Sequence, residues 1–309
     1  MLDINRLLEK IKEHGAKRIY LQVPEGLKMQ VYSRVAKQIE IMGIEVMVSV
    51  EPCYGACDIR EHEAKALNCD LIVHIGHTNF GVKTDIPVIY EELRIKTNPI
   101  PALEKHWNVL EGKSIGLATT LQYVDSLPKA KEFLESHGKT ILIGEGQGTG
   151  YPGQILGCNF SSPKSIENDV DIFLFIGTGM FHPVEFAIQT DKPVFSLNLE
   201  SGEITNMNDE KDKMQRIRFA NIEKAKDCEN FGLFVSTKPG QMFIEKAIKA
   251  KEFLKNKNAW VLVANEITPE KILGMKIDCL VNCACPRIRD DFKQFKMPII
   301  NAEDMDRID

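Results

Sequence analysis

Short, continuously apolar runs alternate with helical stripes three times along the chain, in nearly the same order each time. In the first copy, Arg18-Ile19-Tyr20-Leu21-Gln22-Val23 reads as a strand closed by Pro24-Glu25-Gly26. Leu27, Val31, Val35 and Ile39 then share one face of a helix, and 45–50 predicts a second strand. After a loop come a strand over 71–75, ended by Gly76-His77, and another over 86–90. The second copy predicts strands over 114–118, 140–143, 172–176 and 192–195, with a helix near 126–137. The third predicts strands over 232–235, 260–263, 279–282 and 297–300, with Phe243, Ala247, Ala250 and Leu254 on one helical stripe. Strands apolar at every position are buried on both faces, as in parallel sheets covered by helices. The expected fold is α/β: three related Rossmann-like parallel-sheet domains, over 1–100, 101–206 and 207–309, around a pseudo-threefold axis. The joins fall near Pro99-Ile100-Pro101 and in the charged stretch 206–226. Ahead of the first strand, Ile4, Leu7, Leu8 and Ile11 form an amphipathic stripe rather than a signal-peptide core.

The repeat has a register. Cys57 and Cys158 each stand thirteen residues before an Asp that opens an apolar strand, Asp70 and Asp171, and both pairs are displaced by 101 residues. The third copy opens its strand at Asp278, but its cysteines follow the strand, in Asn282-Cys283-Ala284-Cys285-Pro286-Arg287. In open parallel sheets, functional groups sit on loops beyond the carboxyl ends of strands, and all three cysteine loops leave such ends.

Composition narrows the chemistry. With 309 residues, 43% of them hydrophobic, the chain can bury two or three domain cores. A net charge of −5 argues against nonspecific nucleic-acid binding. No apolar run approaches the ~20 residues of a membrane span, so a cytoplasmic protein is expected. In that compartment eight cysteines point to metal, catalysis or burial rather than disulfides. No C-x₂-C occurs, and the close pairs Cys53/Cys57 and Cys283/Cys285 are poor zinc-finger spacings. Three thiolates from three domains suit a 4Fe–4S cluster with one iron open to substrate. The C-x₃-C-x₂-C run of ordinary radical enzymes is absent, since Asp58, Ile59 and Arg60 follow Cys57. Cys69, Cys228 and Cys279 read as buried thiols, Cys53 and Cys283 stay open, and Cys57, Cys158 and Cys285 read as ligands. Gly148-x-Gly150-x-x-Gly153 spells the dinucleotide fingerprint but lacks the helix that must follow it, so these glycines shape the cysteine loop. His77 and His182 read as structural, and Met180 and Met275 as core.

Four motifs in order resemble a known family. Gly55-Ala56-Cys57-Asp58, Ile155-Leu156-Gly157-Cys158-Asn159, Ser236-Thr237-Lys238-Pro239-Gly240-Gln241 and Cys285-Pro286-Arg287-Ile288 are similar to the archaeal diphthamide biosynthesis enzymes, the 2-(3-amino-3-carboxypropyl)histidine synthases. The resemblance spans nearly the whole chain. It implies a homodimer whose protomers each hold a 4Fe–4S cluster on Cys57, Cys158 and Cys285. It also implies radical cleavage of S-adenosylmethionine at the bond between sulfur and the γ-carbon, releasing methylthioadenosine. The 3-amino-3-carboxypropyl group then adds to C2 of a histidine on translation elongation factor 2, with a small protein as electron donor. Cys283 departs from the pattern, and Cys285 is preferred through its following Pro-Arg-Ile. Lys238 and Gln241, before a helix, are candidates for the substrate carboxylate, the alternative being that Pro239-Gly240 is turn chemistry alone. Gly177, Thr178 and Gly179 offer backbone N–H groups to the same ligand. Arg287 pairs with a carboxylate, tunes the cluster, or makes an ordinary structural salt bridge. Two other readings stay open: a triplicated 4Fe–4S dehydratase of the quinolinate synthase type, and a non-catalytic zinc or ligand-binding scaffold.

Overall fold

The computed structural model describes residues 2–308. It contains three sheets in two compact units, the first running to Asn208 and the second starting at Asp209. In the first unit, β1 (Arg18–Gln22), β2 (Glu45–Val48), β3 (Leu71–Ile75) and β4 (Val88–Glu91) pair in the order β2-β1-β3-β4, all parallel. The next sheet, in the same unit, comprises β5 (Ser114–Thr119), β6 (Thr140–Leu142), β7 (Ile172–Gly177), β8 (Val194–Asn198) and β9 (Ile204–Asn206). Its order is β6-β5-β7-β8-β9, with β9 antiparallel to β8. In the second unit, β10 (Asn230–Ser236), β11 (Asn258–Ala264), β12 (Cys279–Asn282) and β13 (Ile299–Asn301) pair as β11-β10-β12-β13, again all parallel. The α/β class and its three sheets are as expected. β9 was not foreseen, because three residues, two of them exposed, carry no period.

Burial on both faces explains why these strands read as unbroken apolar runs. Along β7, Ile172, Leu174 and Ile176 enter one core while Phe173 and Phe175 enter another. Gly116 on β5 makes room for this packing, since a Cβ there would lie 2.4 Å from the Phe173 ring. In the first sheet, Leu71, Val73 and Ile75 of β3 face the core that also buries Leu7, Ile11, Val31, Val35 and Ile39. Helix Ile4–His14 is capped by Asp3, whose carboxylate accepts from the Arg6 N–H, and closed by Gly15 in the left-handed region. The helical segment bearing Val35 passes through a wider π turn, Tyr32–Ala36, between Lys28–Val31 and Lys37–Ile41.

The aspartates that open the third strand of each copy have a common role. Asp70 accepts from the backbone N–H groups of Lys17 and Arg18, Asp171 from Lys113 and Ser114, and Asp278 from Glu229 and Asn230. Each carboxylate thereby satisfies donors that precede or open the neighbouring first strand, where the sheet has no ladder partner for them. The hydrogen bonds hold Asp171 and Asp278 below the ordinary carboxylate range.

Several expectations need correction. Within the charged stretch 206–226, Asn208–Lys226 forms a helix of 19 residues that the sequence pattern did not place. Phe243 lies outside the predicted stripe, at the N-cap of helix Ile244–Phe253 and 39% exposed, whereas Ala247, Ala250 and Leu254 are buried. Met180 and Met275 are not core, being 47% and 44% exposed; each adjoins a left-handed glycine, Gly179 or Gly274, in a surface turn.

Replacing Phe173 by Ala empties the face of β7 that packs on Gly116. Guanidinium unfolding of Phe173→Ala is expected to show a loss of about 3–5 kcal/mol, the range for a fully buried aromatic.

Candidate functional site

Each cysteine loop leaves the carboxyl end of a sheet and is pinned there by a buried polar residue that ends a strand. Gln22, the last residue of β1, donates through Nε2 to the carbonyl of Asp58 and so fixes the turn after Cys57. The buried Arg60 donates to the Pro52 carbonyl at 3.1 Å and to Glu63 at 2.9 Å, holding the start of the same loop. Gly55 leaves the space beside the sulfur: an added Cβ would lie 3.3 Å from Cys57 Sγ and 3.5 Å from the Phe80 ring.

The Cys158 loop returns to the sheet it left. Thr119, at the end of β5, receives the chain again through Thr119 N–H to the Gly153 carbonyl and Ile155 N–H to the Thr119 carbonyl, both 2.8 Å. Its hydroxyl donates to the Ile176 carbonyl. Ile155 and Phe160 are buried in the core under β7, and Leu156 and Asn159 bond to each other across the turn between them. Cys158 stands exposed at the tip. No helix opens directly after Gly148, Gly150 and Gly153, which lie in this loop as expected; the next helical turn is Ser161–Lys164.

One segment touches both of these loops. Phe80 packs beside Gly55, as above, while Thr78 Oγ1 accepts from Gln154 Nε2 at 3.4 Å and a Cβ at Gly150 would meet Thr78 Cγ2 at 2.8 Å. Tyr151, in the Cys158 loop, donates to the Glu92 carboxylate, and the Arg94 guanidinium lies 4.4 Å over its ring.

In the second unit, Asn282 ends β12 and organises the Cys285 loop. Its amide donates to the Cys285 carbonyl at 2.7 Å and to Asn301 Oδ1 at 2.8 Å, and its oxygen accepts from the Ala284 N–H at 3.1 Å. Burial pushes the Cys285 thiol up, opposed by the Arg287 backbone N–H and by the charges of Arg287 and Lys238. Lys238 is buried, and its Nζ donates to Glu266 at 2.9 Å. Gln241 is buried in the turn Pro239–Gln241, bonded back to the Lys238 carbonyl.

The eight cysteines, none of them in a disulfide, divide cleanly by accessibility. Cys53, Cys69, Cys228, Cys279 and Cys283 are buried; Cys57 and Cys285 are partly accessible and Cys158 is exposed. Burial pushes both the Cys53 and Cys283 thiols up to about 12. Buried beside Cys53 are two histidines whose rings meet, His74 Nε2 lying 2.9 Å from His77 Nδ1. Burial pushes His74 down to about 3 and His77 to about 4, so both rings are neutral near neutral pH. His182 stacks on Phe175 at 6.3 Å between centroids, in keeping with a structural role.

Residues 23–307 match the profile of the diphthamide synthesis protein family. The chain belongs to that family. It is similar to the 2-(3-amino-3-carboxypropyl)histidine synthase of Pyrococcus horikoshii, with 33% identity covering 98% of this chain and 88% of that one. The enzyme of the same description from Methanocaldococcus jannaschii is 31% identical, over 97% of this chain and 86% of its own. The fold is similar to the crystal structure of Dph2 from Pyrococcus horikoshii with a 4Fe–4S cluster. The TM-score is 0.93 at 32% identity, covering 100% of this chain and 90% of that one.

Within this diphthamide synthesis fold, Gly177 closes β7 and Thr178 Oγ1 lies 3.0 Å from the Tyr123 hydroxyl. Gly179 has φ +70° with open space around it. The pins themselves, Gln22, Thr119 and Asn282, were missed in the sequence, although each is a polar residue closing an apolar run. The Lys238–Glu266 pair was also missed, its partners standing 28 residues apart.

Asn282→Ala strands two buried carbonyl oxygens and one N–H at the Cys285 loop. Denaturant unfolding is expected to show a loss of about 2–3 kcal/mol, and an unchanged midpoint would contradict the pin.

Proposed function

We propose that this chain is a 2-(3-amino-3-carboxypropyl)histidine synthase. It moves the 3-amino-3-carboxypropyl group of S-adenosylmethionine to C2 of a histidine imidazole on translation elongation factor 2, with methylthioadenosine as the second product. The observation that carries this reading is the division of the cysteines. Of eight thiols, the three that solvent can reach are Cys57, Cys158 and Cys285, the same three that the family motifs mark.

The donor set fits an iron–sulfur cluster. Each of the three sulfurs sits on a loop pinned to the end of a strand rather than in an apolar core, and Gly55 leaves room beside the first of them. A thiol held up by burial, like that of Cys285, deprotonates on iron, and the Arg287 N–H and Lys238 charge favour the resulting thiolate. When bound, a 4Fe–4S cluster on these ligands supplies one-electron reduction of a sulfonium, with one iron unligated by protein.

The chain's own task is to orient the substrate. Lys238 and Glu266 present opposite charges side by side, complementary to the carboxylate and ammonium of an amino-acid head group. Gln241 adds an amide one turn away. Gly177, Thr178 and Gly179 offer a strand end where backbone can approach a ligand. Among the described residues no helix is long and apolar enough to cross a membrane, which suits a cytoplasmic enzyme. A small-protein electron donor and a homodimeric assembly complete the proposal.

After anaerobic reconstitution, Cys57→Ala, Cys158→Ala and Cys285→Ala are each expected to lose most of the bound iron, whereas Cys69→Ala and Cys228→Ala keep it. Full iron in Cys285→Ala, with loss in Cys283→Ala, would move the third ligand. Incubation with S-adenosylmethionine, dithionite and elongation factor 2 should yield methylthioadenosine and a histidine heavier by the transferred group. A dehydratase would release no methylthioadenosine.

A further inference from the structure

We propose that Cys53, His74 and His77 form a second, mononuclear metal site in the first unit, for a borderline divalent cation such as Zn²⁺. The site rests on its own geometry, whether or not Cys57 binds a cluster.

The alternation of β3 shows how unusual His74 is. Leu71, Val73 and Ile75 enter the core beneath helix Ile4–His14, and Ile72 enters the opposite core with Tyr20, Ile59 and Ile86. His74 falls on the Ile72 face, fully buried, with its ring 5.7 Å from that of Tyr90. A buried imidazole needs partners for both nitrogens. Nε2 has His77, but Nδ1 has no hydrogen-bond partner. An unpartnered nitrogen at this depth is a position that a cation can satisfy.

Two separate stretches of chain supply the donors. His77 turns back toward His74 because Gly76 takes φ +101°, a conformation in which a Cβ would lie 2.9 Å from the Pro24 ring. Cys53 comes from the loop after β2, 2% exposed, its sulfur 3.8 Å from the Gly55 carbonyl. One ligand atom from each of the three residues lies within 4.8 Å of the others. Ligands around tetrahedral Zn²⁺, with Zn–S and Zn–N bonds of the usual lengths, stand roughly 3.3–3.6 Å apart. Donors within 4.8 Å of one another therefore close by roughly 1 Å to meet one ion, a movement within reach of side-chain rotation. One thiolate and two imidazoles select zinc, iron or copper over magnesium or calcium. Binding releases the Cys53 proton to solvent and gives the buried sulfur a compensating charge. It would also tie the loop that carries Cys57 to the end of β3.

Metal analysis of the full chain tests this. After reconstitution with iron and sulfide and then exposure to one equivalent of Zn²⁺, the protein should hold one zinc per chain beside its iron. Cys53→Ser and His77→Ala should each keep the iron and lose the zinc, with affinity weakened roughly 100-fold or more, at least as much as losing a supporting partner costs. In a chain with Cys57→Ser, Cys158→Ser and Cys285→Ser together, Co²⁺ should give a thiolate charge-transfer band that disappears when Cys53→Ser is added. Zinc retained by Cys53→Ser, or no cobalt band in the chain that keeps Cys53, overturns the proposal. Loss of iron together with zinc in both single variants also overturns it, because Cys53 would then belong to the cluster loop alone.

Discussion

A polar residue buried at the carboxyl end of a strand is the constraint on which every cysteine loop depends. Where a parallel sheet stops, the chain leaves a dry core and its backbone groups lose their ladder partners. Gln22, Thr119 and Asn282 meet that need with amide or hydroxyl groups that reach the departing loop or the neighbouring strand. Each is nearly inaccessible to water, so an unmet bond there costs the full desolvation of the group. The loops are thus irregular but specified, and a cysteine can be exposed on each without a helix to carry it.

The opposite ends of the sheets are tied by a second repeated device. Asp70, Asp171 and Asp278 accept N–H groups at the start of the adjacent first strand. Fastened at both ends, the three sheets keep one strand order for their first four members although their loops differ. That tolerance accounts for the shifted third cysteine. In the first two copies the cysteine follows the second strand, whereas Cys285 follows the third, β12, yet all leave the same edge of a parallel sheet. Chemistry at the carboxyl end of an open sheet depends on that edge more than on which strand feeds it.

Burial then sorts thiols that are otherwise alike. Cys53 and Cys57 are four residues apart, and Cys283 and Cys285 two apart, yet one of each pair is enclosed and the other reaches solvent. In the third copy the end of the strand does this: Cys279, Val281 and Cys283 point into one core, whereas Cys285, on the same parity, lies past the end of β12 where the chain turns into Pro286–Asp291. Cys53 is held inward beside two neutral imidazoles. One stretch of backbone therefore presents two sulfurs to two environments, one suited to a shared cofactor and the other to a buried ion.

Much of this was legible from the chain. Strands 71–75 and 279–282 lie where the apolar runs placed them, because burial on both faces leaves an unbroken signal. The displacement of Cys57 and Cys158 by a common interval, and the aspartates that follow them, marked the copies before any contact was known. Helix Asn208–Lys226 escaped notice because few of its residues are buried and its polar composition hides the stripe. Met180, Met275 and Phe243 were misjudged because hydrophobicity says nothing about whether a turn places a side chain against a core. The amino-acid sequence by itself determined where strands form, which cysteines recur and which family they signal, since period and spacing are local properties. Only the tertiary structure decided which thiols are enclosed, that Lys238 meets Glu266, and that His74, His77 and Cys53 gather in one place. Those outcomes depend on residues distant in the chain being packed together, and no local pattern encodes that.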